Sequence, residues 1–178
     1  MGRYTYMADR RALRKLFYSG PQLNVLHNNY TKRRRFDAEA ALVSASSIQI
    51  EAPVEAVWAV IITFRDWRTW APGIEMPDLA EIAPDISFKW RLNGVAILST
   101  IGVVDPGREL NWTGAFLWFR AVERYVLEPL GLTSTRVTLA ESLAGALLPL
   151  FYSVRQLQAN HERWLVALKG RVELGRLQ

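Results

Sequence analysis

Between Ser44 and Leu143, apolar and polar residues alternate in short runs broken by turn residues, the two-residue period of half-buried strands. The first run, "SASSIQIEA" (44–52), ends at Pro53, a residue suited to the first turn of a helix. The helix predicted there, "PVEAVWAVIITFRDW", carries Val54, Trp58, Ile61 and Ile62 on one stripe, although its β-branched content also fits a strand. "RTWAPG" (68–73) reads as a short second helical turn closed by Pro and Gly. Residues 74–87 contain Pro77 and Pro84 and read as irregular, with one short strand near Leu79–Ile82.

Strands then follow in series. "SFKWRL" (87–92) places Phe88, Trp90 and Leu92 on one side and Lys89 and Arg91 on the other; Asn93-Gly94 predicts a hairpin into "VAILSTIGVV" (95–104). "DPGR" (105–108) turns the chain into "ELNWTGAFLW" (109–118), followed by "AVERYVLEP" (121–129) and "TSTRVTLAESL" (133–143). After Gly145 and Pro149 the period changes. Leu150, Val154, Leu157, His161, Trp164/Leu165, Leu168 and Val172 form one stripe of a long helix. The order is a strand, one or two helices, about six strands in meander and a final helix, an α+β arrangement.

Charge divides the chain. Residues 1–35 hold nine Lys or Arg against Asp9, a net of +8, and the remainder holds thirteen against sixteen, a net of −3, which together give +5. Residues 1–43 therefore read as a basic N-terminal extension, partly disordered, ahead of a domain at 44–174. "ADRRALRKLFY" predicts a short helix from Asp9 with Leu13, Leu16 and Phe17 on one face; "SGP" (19–21) ends it, and "TKRRRF" (31–36) is a charge run. A solvated tail is the favoured reading of this extension. The other is a docking arm, residues 1–35, for an anionic membrane surface or an acidic partner. Nucleic acid is disfavoured, because the basic residues lie apart from the aromatic ones.

Composition narrows the chemistry. The absence of Cys excludes disulfides, thiolate nucleophiles and Cys-based zinc sites, and His27 and His161 alone cannot build a multi-histidine centre. No metal or cofactor is expected. No apolar run approaches the ~18 residues of a membrane span, and no secretory signal is evident, so a soluble cytoplasmic protein, compatible with peripheral membrane association, is expected.

This order of elements resembles the START-like or SRPBCC superfamily over roughly residues 44–172, nearest its polyketide cyclase/dehydratase and lipid-transport-like branch. The resemblance is carried by "APVEAVW" (52–58), Trp70 in "DWRTWAP", "VDPGRELNWTG" (104–114), "LEP" (127–129), "STRVTLAESLAG" (134–145) with Pro149 and Leu150, and "HERWLVALKGRVE" (161–173). The chain departs from the usual pattern in lacking His near Glu123, in "LGLTST" where members carry a Gly/Asp-rich turn, and in the segment 74–86, which lacks a glycine-marked hairpin. The resemblance implies a helix-grip fold, a curved antiparallel sheet of about six to seven strands around the C-terminal helix. It also implies a cavity between them for a small hydrophobic ligand.

Three polar residues fall on the inward side of that arrangement. Glu141 shares its parity with Val137, Leu139 and Leu143; Glu123 shares its parity with Tyr125 and Leu127; His161 lies in the helical stripe. A carboxylate among inward aliphatics is costly unless something receives it. Gathered at one cavity, Glu141, His161 and Glu123 form a candidate acid–base set for aldol-type ring closure and dehydration, with Tyr125 as donor to the developing enolate. Arg124 and Arg136 point outward by parity. Trp90, Trp112 and Trp164, with Trp58, are candidate stacking surfaces for a flat ligand, and Trp70 with Trp67 a candidate lid. The plainer reading makes the tryptophans core, His161 a satisfied core histidine and Trp70 part of a packed helix corner. It turns Glu141 to solvent or to Arg136 or Arg155. Ligand binding ranks first among functions, a cyclase/dehydratase second, and a tether acting through the basic arm third; whether there is turnover stays open.

Overall fold

Pairing in the sheet follows the meander, and the first strand closes it. In the computed structural model, which describes residues 13–175, strands β1 (Leu42–Ile50), β2 (Ile74–Glu75), β3 (Ser87–Leu92), β4 (Val95–Asp105), β5 (Glu109–Phe116), β6 (Phe119–Pro129) and β7 (Thr135–Ala144) form one antiparallel sheet. The strands lie in the order β1-β7-β6-β5-β4-β3-β2. Asn93 (φ 49°) and Gly94 (φ 82°) both occupy the left-handed region that a two-residue hairpin turn requires. Pro53 caps the helix that follows β1, and the ambiguous "VEAVWAVII" is helical as α2 (Val54–Ile62), burying Val57, Trp58 and Ile61. A short turn of helix, α3 (Trp67–Trp70), succeeds it.

The final helix, α4 (Val154–Gly175), lies inside the curled sheet, chiefly against β1, and buries Leu157, His161, Trp164, Leu165, Leu168 and Val172. It begins later than the apolar stripe implies. The Ser153 hydroxyl accepts from the Gln156 N–H at 3.2 Å, while the Gln156 side chain accepts from the Ser153 N–H at 3.0 Å. This reciprocal cap starts the helix at Val154, so Leu150 and Val154 stay exposed. On the other side of α4's packing face, Phe64, Trp67, Phe88, Trp112 and Tyr125 meet edge-on or tilted at 5.3–6.3 Å, filling part of the space between helix and sheet.

Two other expectations change. The short strand is not at Leu79–Ile82 but at Ile74–Glu75, where it pairs with Leu92 and Arg91; the chain from 76 to 86 is held to β4 by backbone bonds between Asp85, Ile86 and Ile101. β1 begins at Leu42, two residues inside the predicted extension.

The second half of that extension is part of the folded body. Helix α1 (Leu23–Asn29) and a 3₁₀ turn at Thr31–Arg33 lie on the convex face of the sheet, with Leu26, His27, Thr31, Asp37 and Ala40 buried. Thr113 of β5 sits within 2.6 Å of the Thr31 hydroxyl and 3.1 Å of His27 Nδ1, and Asn111 donates to the Thr31 carbonyl at 3.2 Å. Lys32 and Arg34 pair with Asp85 and Asp105, so part of the basic run is engaged on the domain's own acids. Residues 13–17 are helical; the start of the predicted helix at Asp9 lies outside the described residues. Gly102 permits the close approach, since a Cβ there would meet the Thr31 side chain at 2.5 Å and Asn111 at 2.8 Å. Gly102→Ala should therefore lever the arm off the sheet, lowering stability by about 1–3 kcal/mol in urea denaturation and opening residues 22–41 to limited proteolysis. Unchanged stability and protection would contradict this account of the arm.

Candidate functional site

The sheet register sets the site. Ser44, Glu141, Glu123, Trp112 and Ile101 are successive cross-strand partners on β1, β7, β6, β5 and β4, so they form one row on the concave face. Glu141 and Glu123 are thus direct neighbours on adjacent strands. From α4, the fully buried His161 brings Nε2 to 3.2 Å from Glu141 Oε2, and its Nδ1 has no partner among the described residues. His161 is therefore the partner of Glu141; Arg136 is turned to Glu128 at 2.8 Å.

Burial acts on Glu123 most strongly. Loss of water first, and the charge on Glu141 second, push its carboxyl well above the usual carboxylate range, against a smaller opposing pull from hydrogen bonds to Trp112 and Tyr125. Burial and the neighbouring acid therefore both favour the protonated, hydrogen-bond-donating form of Glu123. Burial and then the two acids also raise the Tyr125 hydroxyl well above its ordinary value, so it remains a donor.

A hollow of about 440 Å³ opens beside this row, between the concave face of β3–β7, the first half of α4 and the loop before it. Its walls are mostly apolar and include Trp90, Trp112, Phe116, Phe119, Leu148, Leu157 and Trp164; Glu123, Glu141, Tyr152 and Asn160 supply polar groups. The indoles of Trp90 and Trp164 donate to Ser99 Oγ at 2.9 Å and to the Pro72 carbonyl at 3.1 Å, so these residues offer ring surface rather than N–H groups. Tyr152 is oriented by a chain of bonds. Arg163 donates to Asn160 Oδ1 at 2.7 Å, and Asn160 Nδ2 donates to the Tyr152 oxygen at 2.5 Å. With its oxygen already accepting, Tyr152 is left to donate its own proton. Burial and then Glu141 raise its hydroxyl above the ordinary value, so it keeps that proton.

Of the residues predicted from sequence, Glu123, Glu141, Trp90, Trp112 and Trp164 stand on the walls. Three do not. His161 lies behind Glu141 and Tyr125 behind Trp112, while Trp70 packs on Trp67 at 5.0 Å at a helix corner, away from the mouth. Sequence reasoning missed Phe116, Phe119, Tyr152 and Asn160. The overlooked signal was the "SVRQ" capping box at 153–156, which ends the loop and leaves Tyr152 just ahead of α4.

The site can be compared with known proteins. Residues 42–173 match the model of a family described as polyketide cyclase / dehydrase and lipid transport. No curated protein matches the chain. Among solved structures, a hypothetical protein from Helicobacter pylori superposes with a TM-score of 0.67 at 15% identity, covering 76% of this chain and 90% of that one. A START superfamily protein from Mycobacterium smegmatis gives 0.59 at 18% identity, covering 74% and 97%. The Zhui aromatase/cyclase from Streptomyces sp. R1128 gives 0.56 at 15% identity, covering 76% and 95%. At these identities the likeness is one of fold, the START-like helix-grip.

A neutral Glu123 has a thermodynamic signature. The unfolded chain loses the proton near the ordinary 4.5, while the folded chain keeps it to higher pH, so this group's contribution to stability is complete below the ordinary value and is lost as pH rises through the folded one. Glu123→Gln, neutral at every pH, should gain on the wild type in urea denaturation as pH rises above the ordinary carboxylate value. Parallel profiles would show that Glu123 carries its charge in the folded protein.

Proposed function

The chain belongs to the polyketide cyclase / dehydrase and lipid transport family, and on that premise we propose that it holds a small, mostly apolar ligand bearing a carbonyl or hydroxyl oxygen in the hollow. The observation that carries this reading is the wall chemistry: two adjoining acids in unequal surroundings, Glu123 buried beside Trp112 and Glu141 backed by His161, and one oriented phenol among otherwise apolar walls. A hollow of about 440 Å³ falls within the usual range of small-molecule sites. Glu123 and Tyr152 donate to the ligand oxygen; Glu141 accepts from a ligand hydroxyl or enol. Trp90, Trp112 and Trp164 supply flat apolar contact.

A second reading, cyclase/dehydratase chemistry, is favoured by the Glu141–His161 pair. In a dehydration, Glu141 takes the proton α to a ligand carbonyl and His161 balances its position from behind. The carbon–oxygen bond breaks as Glu123 protonates the departing hydroxyl, releasing water, and Tyr152 holds the enolate oxygen. Binding ranks first because it needs nothing to pass between His161 and the hollow, from which the imidazole is screened by Glu141.

Purified protein should retain an apolar passenger in native mass spectrometry, or take up an apolar fluorescent dye once stripped. Ala121→Phe, which fills the hollow from β6, should abolish that uptake while unfolding stays cooperative; unchanged uptake would place the bound molecule elsewhere. Glu141→Gln should weaken binding of a ligand hydroxyl about tenfold. On the enzymatic reading it should also abolish turnover of a linear poly-β-ketone, and turnover at the wild-type rate would remove Glu141 from catalysis.

A further inference from the structure

Exposed apolar residues gather at one end of the sheet. In this meander the β3–β4 and β5–β6 turns lie at the same end, and β7 finishes beside them through the pairing of Ala144 with Arg120. There, Leu117 and Trp118 form the tip of the β5–β6 turn, and Leu150 and Phe151 project from the loop before α4. Leu13 and Phe17 lie one helical turn apart on residues 13–17. All six are exposed, Leu117 at 73% and Phe151 at 71%. Hydrogen bonds tie the three pieces together: the Leu147 N–H donates to the Leu16 carbonyl at 2.7 Å, and the Trp118 indole donates to the Ala146 carbonyl at 3.0 Å. Phe151 is at once rim and wall, lining the hollow while largely in solvent.

We propose that this rim is a docking surface for an anionic lipid bilayer, with the mouth of the hollow facing the membrane. Clustered exposed apolar side chains around an opening need a cover that a monomer in water does not supply. Aliphatic and aromatic tips of this kind seat at the boundary between headgroups and acyl chains, where an indole tolerates both environments. Charge selects the bilayer over a second copy of the chain. Lys15 and Arg14, the latter 72% exposed in its pair with Glu39 at 3.1 Å, stand between Leu13 and Phe17, and the sequence leading into them adds Arg3, Arg10 and Arg11 against Asp9. A symmetric pairing of two copies through this rim would set Arg14 and Lys15 of each copy against those of the other, whereas anionic headgroups complement them. Residues 1–15 carry five Lys or Arg against one acid, whereas residues 36–178 carry sixteen acids against thirteen bases. No helix among the described residues is long and apolar enough to cross a membrane, and the association is peripheral. The inference stands whatever the hollow holds.

Flotation of the full chain with vesicles tests it. Vesicles of phosphatidylcholine with phosphatidylglycerol should carry the protein upward, phosphatidylcholine alone should carry much less, and added salt should weaken the binding. Trp118→Ser combined with Phe151→Ser should lower the partition about tenfold or more without lowering the melting temperature, whereas Leu132→Ser, at the opposite end and 93% exposed, should leave it unchanged. The proposal is overturned if neither vesicle binds the protein, if the double variant binds as the wild type does, or if the double variant instead abolishes a concentration-dependent dimer.

Discussion

Two carboxyl groups held side by side out of water cannot both be charged, and the architecture around the hollow turns on that constraint. The β6–β7 register makes Glu123 and Glu141 neighbours. Their surroundings differ: Glu123 is buried on the wall beside Trp112, while Glu141 keeps an edge on the hollow and has an imidazole behind it. Unequal surroundings are what convert two identical side chains into a donor and an acceptor. Neither group would serve the hollow without the other, because the charge on one helps keep the proton on its neighbour.

Packing keeps that pair in place. The aromatic cluster of Phe64, Trp67, Phe88, Trp112 and Tyr125 fills one part of the space between α4 and the sheet, so the remaining space is a bounded hollow and not a collapsed seam. Outside the sheet, the arm from α1 to β1 covers the convex face over Asn111 and Thr113, next to the strand positions that carry Trp112 inward. The same strand, β5, is therefore fixed from both sides. A basic segment set apart by charge alone contributes to holding the strands that bear the site.

Much of this was legible in the chain. Period-two alternation located β3 to β7 closely, and parity put Glu123, Glu141, Trp90 and Trp112 on the concave face, because a strand has only two faces and the aliphatics mark the inner one. Depth is what parity cannot carry. Tyr125 and His161 share inward positions with the wall residues, yet sit behind them, since which inward side chain meets open space depends on how its neighbours fill the rest. The packing of residues 23–41 is illegible for a related reason: its contacts run through Thr31, His27 and short hydroxyl or imidazole bonds to a strand about 80 residues away, which no local pattern encodes. The start of α4 was misplaced by apolar spacing alone, when the Ser153–Gln156 cap decides it.

The neutral state of Glu123 beside Glu141 is the claim on which the ligand chemistry rests. Carbon-13 NMR of the side-chain carboxyls, with the Glu123 resonance assigned by its loss in Glu123→Gln, reads it directly. The Glu123 carboxyl should stay protonated to a pH well above its ordinary value of 4.5. If Glu123 ionises at that ordinary value, the unequal pair does not exist, and the account of the hollow as a site for an oxygen-bearing apolar ligand fails with it.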